Sequence, residues 1–329
     1  MSPFPNEDYT VGWICNSKKS LLAAAAMQQG SWLLTQTCPT GKQEGFMMGE
    51  IGEHKVAATI VQCHNQALTG APKNVVRELL ETFPNIRVLL VVGIASGMPD
   101  YESEPVQDIR LADVVVGAPS KHVDGDVRVY YEGFSGFRLK RTLDNVPTAL
   151  RAALDKLQVS NEPSASRVSP LLKQDLDCHH MVTQHGCDRP DPSTDQLFRS
   201  SYQHADESKP CTSCNATQAI PRDRWKRDYD APAIHYGTIV SSTFRMRNIR
   251  DKIKTTLGGI CYDREAESFF CNYPMLVIRG IADYGDTHKN EEWEGYAAFT
   301  AAYYAKFLIY TTSAQELAKA PRVRDTPHT

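Results

Sequence analysis

The sequence predicts an α/β layered fold. Apolar runs of strand length alternate with segments of helical period, residues 87–92 (RVLLVV) form an almost uninterrupted apolar stretch, and the C-terminal part repeats aromatic residues at helical spacing. Residues 9–15 read as the first strand and 20–29 as the first helix. Residues 54–61 follow as a strand, and Val75, Val76, Leu79, Leu80 and Phe83 trace one face of a helix. The run 87–92 is apolar at nearly every position, the pattern of a strand covered on both faces. Residues 112–116 and 127–131 have β-branched and aromatic character, 147–157 has helical period, and HYGTIV after Ile234 resumes the alternation. The apolar run from Met275 to Ile278 stops at Arg279-Gly280. Tyr296, Phe299, Tyr303, Phe307 and Tyr310 then mark a closing amphipathic helix, whose aromatic stripe suits a core or a subunit interface better than a cofactor site.

The 329 residues include 41% apolar and 23% charged side chains, enough for a substantial core, and the chain is read as a single domain over 1–329. A net charge of −3 gives no electrostatic reason to expect nucleic acid or an anionic membrane as partner, which favours small ligands or proteins, and a small-molecule substrate is expected. The opening residues lack an apolar leader, and no run approaches the ~20 apolar residues of a membrane helix. Nine cysteines scattered through the chain fit reduced thiols, so a cytoplasmic location is expected. The stretch from about 160 to 230 is rich in Ser, Asp, His, Pro and Cys with little periodicity, and is read as an irregular insertion.

Asp283 is the first candidate for chemistry. It follows the apolar run closely, and in an open α/β sheet the carboxyl ends of strands face the ligand crevice. The alternative role is a cap for the next helix.

The markers Gly12-Trp-Ile-Cys15, Val92-Gly-Ile94 with Gly97 and Pro99, the segment 108–116 (DIRLADVVV), Ile234-His-Tyr-Gly237, Glu265-Ala266 and the segment 279–289 occur in one order over residues 9 to 310. Together they resemble the nucleoside phosphorylase and nucleosidase superfamily, the methylthioadenosine nucleosidase-like proteins included. The likeness is strongest to its fungal branch, found alone or at the front of NLR-type receptors. That resemblance implies a three-layer α/β/α fold with a mixed, partly barrel-like sheet, homo-oligomeric assembly, no cofactor, and cleavage of the N-glycosidic bond of a purine nucleoside by water or phosphate. The transition state of such a reaction is oxocarbenium-like, so it requires a proton on the leaving base and groups that hold the ribose. By position, Asp283 would protonate or hydrogen-bond the purine and Glu265 would bind the ribose hydroxyls. Gly93, Ile94, Ser96 and Gly97 would form a loop facing the nucleophile, with backbone N–H groups toward an anion.

The departures from the family pattern lie around one pocket. Ser20 stands where nucleosidases carry a water-activating glutamate, and a neutral hydroxyl is a poor base. Asp263-Arg264-Glu265 replaces Glu-Met-Glu, which makes Asp263 a candidate substrate contact and places a cation at an apolar ribose contact. Ser96 replaces a glycine, and Ser241-Ser-Thr-Phe-Arg245 replaces the usual Ser-Gly-Asn run, with Thr243, Phe244 and Arg245 as candidate substrate contacts. Arg264, with Arg245 or Lys18 and Lys19, is therefore a candidate for binding an anionic group, phosphate included. Cys211 and Cys214, with Cys178, Cys187, His179, His180, His185 and His204 nearby, form a weaker candidate zinc site, because the spacing matches no finger or ribbon. Two further readings stand beside nucleoside chemistry: a lyase, isomerase or cyclase recruited on the same fold to secondary metabolism, and an NLR-type sensing domain without turnover.

Overall fold

In the computed structural model, residues 4–37, 43–61, 71–102, 106–119, 126–133, 136–143, 146–160, 187–204, 211–222, 232–242, 250–263 and 273–326 are described. The strands are β1 (Val11–Cys15), β2 (Gln29–Thr37), β3 (Gln43–Ile51), β4 (His54–Ile60), β5 (Val88–Gly97), β6 (Val114–Val116), β7 (Val127–Gly133), β8 (Gly136–Leu143), β9 (Ile234–Tyr236), β10 (Ile239–Ser241), β11 (Cys261–Asp263) and β12 (Leu276–Asp283). The helices are α1 (Lys18–Met27), α2 (Ala71–Thr82), α3 (Thr148–Ser160), α4 (Arg250–Lys252, continued by a π turn over Ile253–Leu257), α5 (Glu292–Thr311) and α6 (Ala314–Lys319).

The twelve strands among the described residues all join one mixed sheet. Its centre is parallel: β1 pairs with β4 and β5, and β5 pairs with β12. Alternate side chains of these strands enter different cores. Ile14, Leu89 and Val91 pack with Val75, Val76 and Leu79 of α2. Trp13, Cys15, Leu90 and Val92 pack with residues of α1, α3 and α5. Because both faces are buried, a period-2 strand reads as continuously apolar, and the result is three layers, helix on sheet on helix. A smaller cluster of Met98, Tyr130, Val240, Ile253, Leu257 and Tyr262 fills the part where the sheet curls around β7, β10 and β11.

Two expectations are corrected here. The apolar run near 275 does not end as a strand at Arg279-Gly280; β12 continues to Asp283 with Arg279 fully buried. The closing helix is not amphipathic. Fourteen of the twenty residues of α5 are buried, and among its aromatic positions Tyr310 is the one that is strongly exposed. Such a helix is apolar nearly all round because it lies against the sheet and beneath other helices.

Close approach of α5 to β12 depends on Gly280. A Cβ built there would lie 1.8 Å from the Ala297 carbonyl oxygen, a backbone atom that moves only if the helix moves. Gly280→Ala is expected to destabilise the chain by about 1–3 kcal/mol or more through overpacking, measured by urea unfolding. A change below about 0.5 kcal/mol would show that α5 shifts freely.

Candidate functional site

β5 positions the site. Residues 88–92 pair with β1 along one edge, and residues 90–96 pair with β12 along the other. Past Val92 the first edge is vacated, and β11 enters it antiparallel, with Tyr262 opposite Ser96 and Cys261 opposite Gly97. Ser96 thus lies between Asp283 of β12 and Tyr262 of β11. Ile94, Ala95, Ser96 and Asp283 are half-buried, whereas the strand residues before them are buried, so this end of the sheet is the more open one.

The pairing of β12 with β5 shifts register between Ile281 and Asp283. A bulge of this kind re-aims the side chain that follows it. The Ser96 hydroxyl donates to Asp283 Oδ1, which also accepts from the Gly285 N–H at 2.8 Å. Lys289 Nζ lies 3.2 Å from Asp283 Oδ2, with its own side chain half exposed. Asp283 therefore closes a turn onto Gly285 and does not cap α5, whose first turn is served by Asn290: its side-chain Oδ1 accepts from Glu292 N. The ammonium of Lys289 was not anticipated from sequence, although it stands only six residues beyond Asp283.

The segment 93–97 is a strand continuation rather than a loop, which corrects the expectation of free N–H groups around an anion. The Ile94 N–H points to Asn16 Oδ1 at 3.4 Å, and Asn16 Nδ2 donates to the Ile94 carbonyl at 3.2 Å. Asn16, just past β1, thereby continues the pairing that β1 has ended. Gly93 makes room for it, since a Cβ there would lie 2.0 Å from Asn16 Oδ1. Gly97 serves packing as well, because a Cβ would meet Ile281 and Ile109 at 2.8 and 3.0 Å.

Ser20 is buried, with its hydroxyl 2.8 Å from that of Ser17 and donating to Asn16 Oδ1 at 3.3 Å. It is linked through Asn16 to Ile94, but as part of the Ser17 cap of α1. Lys19 is bound to Glu294 Oε2 at 2.9 Å, and Lys18 is exposed. Asp263, expected to touch substrate, is instead buried and paired with Arg279, whose Nε donates to Oδ2 at 2.6 Å. Glu265, Arg264, Thr243, Phe244 and Arg245 lie outside the described residues, as do Cys178, His179, His180 and His185.

Two anchors tie the described part of the insertion to the site. The Tyr284 hydroxyl donates to Asp195 Oδ1 at 2.5 Å and accepts from Arg222 Nη1 at 2.8 Å and from the Leu111 N–H at 3.1 Å. Burial pushes this phenol well above its ordinary pKa, followed by the nearby Asp195 carboxylate, with Arg222 opposing. The second anchor brings His204, Cys211 and Cys214 to His288, in the turn after Asp283. Cys187 is absent from this group and is buried in the core cluster that includes α3.

The fold is similar to that of solved nucleosidases and of a futalosine hydrolase. The futalosine hydrolase of Helicobacter pylori superimposes with a TM-score of 0.51 at 11% identity, over 92% of this chain and 97% of that one. The 5'-methylthioadenosine/S-adenosylhomocysteine nucleosidase from S. pneumoniae, solved with a transition-state inhibitor, gives 0.51 at 12% identity, over 92% and 100%. No family model matches the chain. A nucleotide-binding leucine-rich repeat (NLR)-like protein of Hyaloscypha variabilis is 30% identical over 318 residues, 94% of this chain, and the chain spans 30% of that protein's length. No helix among the described residues is long and apolar enough to cross a membrane.

Proposed function

We propose that the crevice at the carboxyl ends of β5 and β12 binds a purine nucleoside or a close analogue and that the chain cleaves its N-glycosidic bond, with Asp283 as the acid on the departing base. The observation that carries this reading is the placement of Asp283. It is half-buried, re-aimed by a bulge, and set against Ser96 at the open end of the central strand. Breaking the bond moves its electron pair onto the base nitrogen, so a proton donor at the base lowers the barrier while the ribose carries the positive charge. Ser96 and Lys289 both donate to the carboxylate, so the proton that reaches the base comes from the Lys289 ammonium by way of Asp283, and water or phosphate then bonds to the ribose carbon. Glu265 is the proposed partner of the ribose hydroxyls, and Arg264 the proposed contact for an anionic substituent. The phosphate reading has less support, because Lys19 is engaged by Glu294.

A second reading is favoured by the NLR-like relative, of which this chain would be one module. With a capped serine at position 20 in place of a base, the same crevice would bind its ligand and report on it without turnover. Incubation with a panel of purine nucleosides, with and without phosphate, separates the two when free base and ligand binding are both measured. Release of base supports catalysis, and the phosphate dependence identifies the nucleophile. Saturable binding without release supports the sensing module, and absence of both overturns the assignment of the crevice.

A further inference from the structure

The side chains of His204, Cys211, Cys214 and His288 come from three separate stretches of chain, yet their ligating atoms all lie within 4.8 Å of one another. Cys211 Sγ and Cys214 Sγ are 3.8 and 3.6 Å from His288 Nδ1. In a tetrahedral zinc site with bonds of about 2.3 Å to sulfur and 2.0–2.1 Å to nitrogen, neighbouring S and N ligands stand about 3.6 Å apart. The two measured separations already match that edge. From this geometry we infer that the four side chains form a structural zinc site.

The surroundings prepare these groups for a metal. Cys211–Ser213 form a single 3₁₀ turn closed by the Cys214 N–H onto the Cys211 carbonyl at 2.9 Å, which brings both thiols to His288. His288 Nε2 lies 3.1 Å from the Tyr202 carbonyl oxygen. A carbonyl only accepts, so Nε2 carries the proton and Nδ1 presents its lone pair toward the two sulfurs. This is the outer hydrogen bond that fixes a metal-binding tautomer. The ring is stacked on Phe198 and Tyr202, with centroids 4.2 and 5.1 Å away. The backbone is held as well: the His288 N–H donates to Asp286 Oδ1 at 2.9 Å, Arg250 Nη1 grips Asp286 Oδ2 at 2.9 Å, and the His204 N–H donates to Thr287 Oγ1 at 2.8 Å. His288 is buried and the other three are half-buried, so the orientation is set by packing before any ion arrives.

Two thiolates and two imidazoles select zinc among abundant divalent ions, and four protein ligands leave no open position for substrate. The ion is a staple. It joins the described part of the insertion to the turn that follows Asp283, five residues before His288.

Full-length protein purified without metal-affinity resin is expected to contain about one zinc per chain. Replacement by cobalt(II) should give the intense visible absorption of a tetrahedral centre with thiolate-to-cobalt charge transfer. Cys211 and Cys214 should resist alkylation until a chelator is added. In His288→Ala, whose altered residue is 74 positions from Cys214, that protection should be lost and zinc retention fall by at least tenfold. If the variant fails to fold, the cobalt spectrum and the chelator-dependent alkylation of the unaltered chain decide alone. Less than about 0.1 zinc per chain after reconstitution under reducing conditions would overturn the assignment. So would a Cys211–Cys214 disulfide in fresh protein, or full zinc retention in Cys211→Ser.

Discussion

Asp283→Asn is expected to slow release of free base from a purine nucleoside by about 10²–10⁴-fold, the range for loss of a positioned general acid. The fold should survive the change. The amide oxygen can still accept from the Gly285 N–H and the Ser96 hydroxyl, and the lost ion pair to half-exposed Lys289 is worth at most about 1 kcal/mol. A riboside whose leaving group is a stable anion separates chemistry from shape. Such a group departs without a proton, so on this substrate the variant should lose less than about tenfold. Equal loss on both substrates, or a Tm that collapses with activity, would reduce Asp283 to a turn-forming residue.

The parallel centre was legible because strands buried on both faces leave an uninterrupted apolar signature, as in VGWIC and VLLVV. Edge strands leave little. β8 (GFRLKRTL) is mostly exposed, and the hairpin of β2 and β3 has too many polar residues to show a strand period. The glycines at 93 and 97 suggested a loop, since the commonest reason for glycine is a turn. Here they admit Asn16 and Ile281 against a straight strand, a tertiary reason that local pattern does not carry. Asp283 was singled out because it follows an apolar run. His288 was missed as a partner of Cys211 and Cys214 because ligand spacing in sequence informs only when the ligands share one small motif, and the topology closes a gap of 74 residues.

The same limit hid the pair whose removal should cost the fold most. Arg279 reads as a strand end and Asp263 as a pocket residue, yet both are buried, and Arg279 spans from Asp263 to the carbonyls of Val91 and Ile278 at 2.7 and 3.0 Å. β11 runs back along β5, so this ion pair ties β11 and β12 together across the central strand. Asp263→Asn keeps the shape but leaves a guanidinium buried without its counter-charge. The expected loss is about 3–5 kcal/mol in urea unfolding, because a desolvated charge without a partner is far costlier than the absence of both. Asp263→Leu combined with Arg279→Met removes both charges and is expected to recover most of that loss. A single variant within about 1 kcal/mol of the parent would mean that water reaches Arg279. A double variant as unstable as the single one would mean that the hydrogen bonds to Val91 and Ile278, rather than charge balance, hold these strands in register.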